Sequence, residues 1–453
     1  MEKRGDRMDN KITLRLTPHV SRFILAILLL LLPSLALCEV KDIFEYFQPS
    51  ITLEGEYNDN IDLTARNRRD DFITTISPGL RFSTLKRSPV TGEFRRAPTA
   101  EEKFGMDLDV RAGFVFYAKE EDYNYVSLNG TLNGWYAPTK NLFFRIRDYT
   151  IRSNEIREAD YSVIAVEGQR FLSRTYKRVL YFRNVLEPSV EYRFGRENLL
   201  AILFRNNLYE IQSRTAEDSM ENTITPRLTY WFNIRNGIYL EYGLTFGDFE
   251  RSADWVGHSG TGRFIHRFNP RTSVFGEYTY LNRDFDSPSI DYEVHRPSLG
   301  IEHAFSPTLT VRGQAGYFWQ NPSRGSTTGG LYYDVLITER AERTTYTLAF
   351  QGGYVEEYFT AENLGFTKSH RLIGTMSHRL LERMTIGLRG SYERAKYQDG
   401  AIDRIWSAAA NGSYQIRRWL GVSLEVSHRE NHSNISDRDY SEYRGIFRLT
   451  ASY

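Results

Sequence analysis

From Arg383 to its end the chain repeats one pattern: about ten to fifteen residues of alternating apolar and polar side chains, a break of two or three polar residues, then the same again. Met384, Ile386, Leu388, Gly390 and Tyr392 share one face of a strand, with Thr385, Arg389, Ser391 and Glu393 on the other. The next segments read likewise: Trp406, Ala408, Ala410, Gly412 and Tyr414; Leu420, Val422, Leu424 and Val426; Tyr443, Phe447, Leu449, Ala451 and the terminal Tyr453. Strands of an ordinary sandwich run about five or six residues. Segments twice that long fit tilted strands that cross a bilayer.

The N-terminal residues separate a membrane wall from a soluble sheet. Lys11, Arg15 and Arg22 precede an apolar run from Phe23 to Leu37, too short and too early for a spanning anchor, so residues 1–38 read as a cleaved export signal. Ala36 and Cys38 occupy the small-residue positions of the cleavage site, which places the cut between Cys38 and Glu39. Met8 is an alternative start. Leu35-Ala36-Leu37-Cys38 also reads as a lipoprotein box with Cys38 acylated, although Leu37 stands where Gly or Ala is usual.

Mean hydropathy is negative, at -0.49, and no apolar run after Cys38 approaches 18 residues, which removes spanning helices. Closed barrels are the remaining way across. The 30 tyrosines suit girdles of rings at the two membrane surfaces. Without the leader, 52 Lys and Arg stand against 54 Asp and Glu, a balance that offers nothing to nucleic acid. Cys38 is the sole cysteine, so residues 39–453 hold no disulfide, thiolate metal site or cysteine nucleophile. No cofactor motif is present.

The breaks define the architecture: an all-β, antiparallel, up-and-down outer-membrane barrel of about 20 strands, within a range of 16 to 22. Tight turns at Pro138–Lys140, Gly195–Asn198, Ile234–Gly237, Asn269-Pro270, Ser306-Pro307, Arg340–Glu342, Leu381–Arg383 and Arg417-Arg418 belong to the periplasmic side. The intervening breaks are mostly longer: Asp59–Arg69, Arg152–Arg178, Ser213–Met220, Glu250–Val256, Asn321–Thr327, Thr360–Phe366, Gln398–Ala401 and Asn431–Asp439. Two breaks depart from this parity, a long inner Lys86–Lys103 and a short outer Lys119–Glu121. Residues 39–49 form a short periplasmic segment and residues 50–453 a single barrel. Pro78, Pro188, Pro226 and Pro297 each precede apolar residues at every second position in descending strands, and are expected at bulges or where the lipid-embedded span begins at the outer surface.

Six histidines fall in pairs eight residues apart, His258/His266, His295/His303 and His370/His378. Eight strand residues span about 26 Å, too far for a shared ligand. Their alternation with Phe264, Phe268, Ile301, Phe305, Leu372 and Met376 makes them interfacial packing residues. His258, His428 and His432 with Asp437 and Asp439 are the best hydrolase constellation, and their spacing singles out no nucleophile. The chain is read as a non-enzyme.

The face opposite lipid is where function resides. By alternation it carries Arg111, Arg205, Arg227, Arg312, Arg389 and Arg448 beside Asp107, Asp109, Glu191, Glu241, Glu277, Glu393 and Glu425. These line a lumen either as a cross-lumen network of salt bridges or as solute contacts, and the mixed signs predict no strong ion preference. About twenty strands enclose a water-filled lumen unless a plug fills it, with Lys86–Lys103, Arg152–Arg178 or Glu39–Pro49 as candidates. Tyr443, Phe447, Leu449 and Tyr453 of the closing strand look like the signal that barrel assembly machinery reads.

The opening Leu53-Glu54-Gly55-Glu56-Tyr57-Asn58-Asp59-Asn60-Ile61, followed by Asp71-Phe72-Ile73-Thr74-Thr75-Ile76-Ser77-Pro78-Gly79-Leu80, resembles the start of the putative outer-membrane β-barrel porin family found beside exopolysaccharide clusters, the porin-2 type that includes PEP-CTERM-associated barrels. Asp334–Tyr397, with Thr338–Thr345 and Glu362-Asn363-Leu364-Gly365, is similar to its later strands, so the resemblance covers nearly all of the mature chain. It implies a Gram-negative outer-membrane location and a role in polysaccharide export, with periplasmic export proteins as partners, and it carries no established functional residue set. A general diffusion porin and a non-conducting structural barrel are the competing readings.

Overall fold

Long alternating segments separated by turn residues generate β1 (Phe47–Asn58), β2 (Asp71–Ser83), β3 (Phe104–Tyr117), β4 (Tyr125–Tyr136), β5 (Leu142–Ser153), β6 (Tyr181–Phe194) and β7 (Asn198–Ile211). They continue as β8 (Ser219–Trp231), β9 (Asn236–Phe249), β10 (Trp255–Asn269), β11 (Thr272–Phe285), β12 (Tyr292–Ala304), β13 (Leu309–Pro322) and β14 (Thr328–Arg340). β15 (Thr344–Glu357), β16 (Gly365–Leu381), β17 (Met384–Lys396), β18 (Ile402–Arg417), β19 (Leu420–Ser433) and β20 (Tyr440–Ser452) complete the set. The computed structural model describes residues 46–84, 103–155, 178–213, 216–359 and 365–452. The leader with Cys38 and Glu39, the terminal Tyr453 and nearly all of the expected plugs at Lys86–Lys103 and Arg152–Arg178 lie outside the described residues.

Each strand pairs antiparallel with its chain neighbours, and β1 pairs with β20 from Ser50↔Ser452 to Asn58↔Arg444, which closes the barrel. Strands of 12 to 17 residues explain why the wall spans a membrane. Thirteen residues at about 3.3 Å each, tilted by about 40°, rise about 33 Å, more than the lipid-facing band of about 25 Å.

The alternation sorts as the sequence predicts. Met384 lies opposite Tyr414, Leu388 opposite Ala410 and Tyr392 opposite Trp406, whose rings are 4.3 Å apart. Leu372, Leu388, Trp406, Leu424, Val426, Tyr443 and Phe447 are all exposed on this outer face.

The turns at the strand-terminus end fall where expected, from 137–141 between β4 and β5 to 418–419 between β18 and β19. Three differences stand at the opposite end and at the N-terminus. The connection 118–124 is not short: seven residues include a 3-10 turn at Glu121–Tyr123. A break at 286–291, unmarked in the sequence reading, separates β11 from β12 and supplies the twentieth strand. β1 begins at Phe47, inside the segment expected to precede the barrel.

The four prolines also correct an expectation. They lie in β2, β6, β8 and β12 as expected, but near mid-strand and at no bulge. In β8 the ladder to β9 passes from Ile224↔Leu244 to Arg227↔Glu241, skipping Thr225 and Pro226 with the register intact. The same in-register gap occurs at Pro78, Pro188 and Pro297. The missing N–H removes a rung without adding a residue. The bulges lie instead at Arg267/Asn269, Arg379/Leu381 and Gln415/Arg417, beside tight turns.

Candidate functional site

Because antiparallel partners directly opposite share a face, inward charges on neighbouring strands meet in pairs along the wall. Arg227 stands opposite Glu241 with 2.6 Å between Nη2 and Oε2. Arg263 stands opposite Glu277 at 2.5 Å, and Arg296 and Gln314 reach the same carboxylate at 3.4 and 2.8 Å. Arg312 pairs with Glu302 at 3.4 Å, Arg145 with Glu191 at 2.9 Å and Arg205 with Glu187 at 3.7 Å. Arg81 grips Asp107 with two bonds of 2.8 and 2.9 Å, and Arg111 holds Asp109 at 2.9 Å. Arg371 lies 4.0 Å from Glu393, while Arg448 bonds Glu54 and reaches Glu425 at 3.5 Å. Of the expected lining cations, Arg389 stands opposite Thr375 and Ala409. These pairs run mostly between adjacent strands, so they brace the wall locally instead of tying it across the lumen. For exposed pairs each contributes at most about 1 kcal/mol.

Arg111, Arg389, Glu393, Glu425 and Arg448 share one cavity of about 690 Å³, lined from β1 to β5 and from β16 to β20. Between the charges stand hydroxyls, some joined across strands: Thr52 to Thr450 at 3.0 Å and Ser391 to Ser407 at 2.6 Å. This half of the wall therefore offers many interchangeable donors and acceptors.

The other half is narrowed by its own hairpin. The β14–β15 ladder stops at Tyr333↔Gly352, although β14 stays paired with β13 up to Thr328↔Gln320. β15 and β16 remain paired with each other to Glu357↔Gly365, while β16 meets β17 only from Lys368 onward. The end of the β15–β16 hairpin has thus left the wall on both sides. Gly353 makes the departure possible: its φ of +148° suits glycine, and a Cβ there would sit 3.0 Å from the Tyr332 ring.

The departed end packs inward against β9 to β13. Tyr358 and Phe359 lie 5.7 and 5.5 Å from the Trp255 ring, and Phe359 stacks on Phe249 at 5.2 Å. Glu356 accepts from Arg283 Nη2 at 2.6 Å and from Tyr292 Oη at 2.5 Å, and the Tyr292 and Tyr358 hydroxyls are 2.7 Å apart. Val294, Phe318 and Phe366 are nearly inaccessible within this cluster. Lys368 bridges the vacated wall position, donating to Thr328 Oγ1 at 2.6 Å and to the Gly329 carbonyl at 2.9 Å. Among the described residues this hairpin, absent from the expected plugs, is an inward obstruction. Its one sequence signal is the Gly352-Gly353 pair.

A second inward layer forms where β1 meets β2. Asp71, fully buried, accepts from the backbone N–H groups of Ala118, Lys119 and Glu120 at 2.9 to 3.1 Å. Arg178 donates to the Ile61 carbonyl at 2.8 Å, to Tyr117 Oη at 2.7 Å and to Glu155 at 2.8 Å. Burial alone would pull the Arg178 guanidinium down, but the Glu155 carboxylate and its other partners hold it above the ordinary arginine value.

The histidines sort by level. His258, His295 and His370 each lie within 3.0 Å of a tyrosine hydroxyl, from Tyr242, Tyr278 and Tyr333. His266, His303 and His378 lie 2.7 to 2.9 Å from Asn236, Thr272 and Thr344 directly across the ladder. His428 stacks on Tyr443 and bonds the Glu442 carbonyl, His432 pairs with Glu430, and Asp439 accepts from the Ser433 backbone. Their partners are those of wall and turn residues. No group of three or more His, Cys, Asp or Glu among the described residues is arranged to hold a metal ion.

The long alternating strands, the closed ladder and a charged inner face set against an apolar outer one describe a porin wall. Residues 251–453 match the family Putative beta-barrel porin 2. The matched part of this porin-type barrel takes in β10 to β20, including Asp334–Tyr397; the opening Leu53–Ile61 and Asp71–Leu80, which carried the other half of the resemblance, precede it. No curated protein sequence matches the chain. Among solved structures, the siderophore receptor PirA from Pseudomonas aeruginosa is similar over 90% of this chain and 80% of its own, with 10% identity and a TM-score of 0.49. OccAB4 from Acinetobacter baumannii is similar over 90% and 98%, with 13% identity and a TM-score of 0.41. The outer membrane protein opdK from Pseudomonas aeruginosa is similar over 90% and 99%, with 10% identity and a TM-score of 0.41. The family match and the fold make the chain an outer-membrane, porin-like β-barrel.

Proposed function

We propose that the barrel is a conduit for saccharide-like solutes and forms the outer-membrane wall of a polysaccharide export system. The observation that carries this reading is the uneven lumen. The β15–β16 hairpin fills the side of β9 to β13 with rings, and the open cavity beside β16 to β20 and β1 to β5 is lined by hydroxyls and braced Arg–carboxylate pairs. Sugar hydroxyls both donate and accept, so a wall of weak, repeated polar contacts holds a chain without trapping it. Arg111, Arg389, Glu393, Glu425 and Arg448 are the contacts this reading assigns inside the cavity, and the pairs Arg227 with Glu241, Arg312 with Glu302, Arg205 with Glu187, Arg145 with Glu191, Arg81 with Asp107 and Arg111 with Asp109 brace the wall. No residue is given a catalytic role, and energy for directed passage comes from periplasmic partners. Residues 1–38 serve as the leader for passage through the inner membrane. Tyr443, Phe447, Leu449 and Tyr453 present the closing strand to the assembly machinery.

The test is planar-bilayer conductance of the refolded mature chain with oligosaccharides of increasing length. Steady conductance that longer sugars block supports the reading. Conductance indifferent to sugar supports a general diffusion porin, and silence from a folded barrel refutes an open conduit.

A further inference from the structure

The two ends of the barrel differ in charge. At the end that carries the tight turns, the start of β1 and the end of β20, the described connections hold eight Lys and Arg against three Asp and Glu. At the opposite end, the described connections hold sixteen Asp and Glu against eight Lys and Arg. The short-turn end of such barrels is the periplasmic one.

The basic bias is arranged around the mouth of the lumen. Arg193, Arg267, Arg340, Arg379 and Arg417 sit at or within two residues of the ends of β6, β10, β14, β16 and β18. Arg193 is inward, 3.8 Å from the lumen residue Glu191, and its side chain is half exposed. Arg267 follows the alternation of Arg263, and Arg379 that of Arg371, a cavity residue. Arg340 follows that of Leu336, which lies opposite Arg312. Arg340, Arg379 and Arg417 are exposed, while Arg267 lies over the Trp231 ring and bonds Glu197 at 2.7 Å. Exposed tips of the turns add Lys140, Arg196, Arg235, Arg271, Arg383 and Arg418.

We propose that this inner mouth is a capture ring for anionic saccharide chains, those bearing carboxylate or phosphate groups. The inference rests on the conduit reading and names its substrate class. Planar guanidinium groups suit carboxylate and phosphate oxygens, and a ring of them raises the local concentration of a polyanion at the entrance. Inside, nearly matched Arg and Glu let the chain move without a deep trap, and the acidic far rim disfavours its return. Anionic lipid headgroups share the chemistry of the ligand. The glycan is favoured because Arg193, Arg340 and Arg379 follow the inward alternation, away from lipid.

The experiment compares the full mature chain with R193Q/R340Q/R379Q in phosphatidylcholine bilayers. Block of the ion current is read for an oligogalacturonate and a neutral maltooligosaccharide of equal length, each added to either chamber at low and high salt. The outer variant R324Q is the control. The expected result is tighter block by the uronate than by the neutral sugar from one chamber only, weakened by salt and by about tenfold in the triple variant, and unaltered in R324Q. Equal block by both sugars, or no change in the triple variant, overturns the capture ring while leaving the conduit standing. Failure of both sugars to block the wild type overturns the conduit itself. Repeating the comparison with anionic phospholipid added to the bilayer separates the two sources: loss of the uronate preference there assigns the ring to headgroups and also overturns the proposal.

Discussion

Replacing Glu356 with alanine removes the polar anchor of the inward hairpin. Glu356 accepts from Arg283 and Tyr292, and the Arg283 and Glu356 side chains are only 10% and 16% exposed. Removing Glu356 leaves the Arg283 charge without its carboxylate, with the Asn282 carbonyl and the Trp255 ring still beside it, a loss near the lower end of about 3–5 kcal/mol. At 1.4 kcal/mol per tenfold, about 3 kcal/mol shifts the docked-to-undocked balance of the hairpin end by more than a hundredfold. The twenty-strand wall uses none of these bonds, so the barrel stays folded while its obstruction loosens. E356A is expected to raise single-channel conductance and add current fluctuations, with heat-modifiable migration unchanged. E356A/R283M, which removes both charges, restores much of the quiet state because the Arg283 charge is no longer left without its carboxylate. Unchanged conductance in E356A, or identical currents in the single and double variants, refutes the hairpin as the constriction.

Further outcomes follow from other contacts. G353V places a branched side chain at a φ of +148° beside the Tyr332 ring, which costs about 1–3 kcal/mol and is expected to raise amide exchange in the hairpin end before the rest of the wall. D71A leaves the N–H groups of Lys119 and Glu120 without their acceptor, about 1–3 kcal/mol, while Ala118 keeps the Phe72 carbonyl, so faster exchange at Lys119 and Glu120 is expected; unchanged protection there counts against the buried cap. Deleting Tyr453 is expected to lower the amount of assembled, heat-modifiable barrel in cells, and normal assembly of that variant removes the closing-strand signal.

Strand number, direction and face were legible because a two-residue period over more than a dozen residues leaves one physical solution. Met384, Leu388 and Tyr392 face the partners their alternation requires, and tight turns such as Asn269-Pro270 fall at strand ends. The hairpin was not legible, since β15 and β16 stay paired with each other through the point where they leave the wall and Gly352-Gly353 is the mark of it in the sequence. Pro226 and its counterparts misled for a related reason: a missing N–H can end a strand or delete one rung, and here it deletes the rung. The inward charges were found by alternation alone. Their partners depend on register, which places Arg227 against Glu241 but leaves Arg389 between Thr375 and Ala409.

The interrupted β14–β15 ladder also bears on stiffness. A closed barrel resists distortion as a hoop does, through an unbroken circuit of cross-strand hydrogen bonds. Here that circuit is complete only towards the tight-turn end. At the level of Thr328 to Tyr332 the flexible side chain of Lys368 reaches across to Thr328 and Gly329. The tight-turn half is therefore hooped without a gap between β14 and β15, and any widening or narrowing of the opposite half would concentrate at this seam.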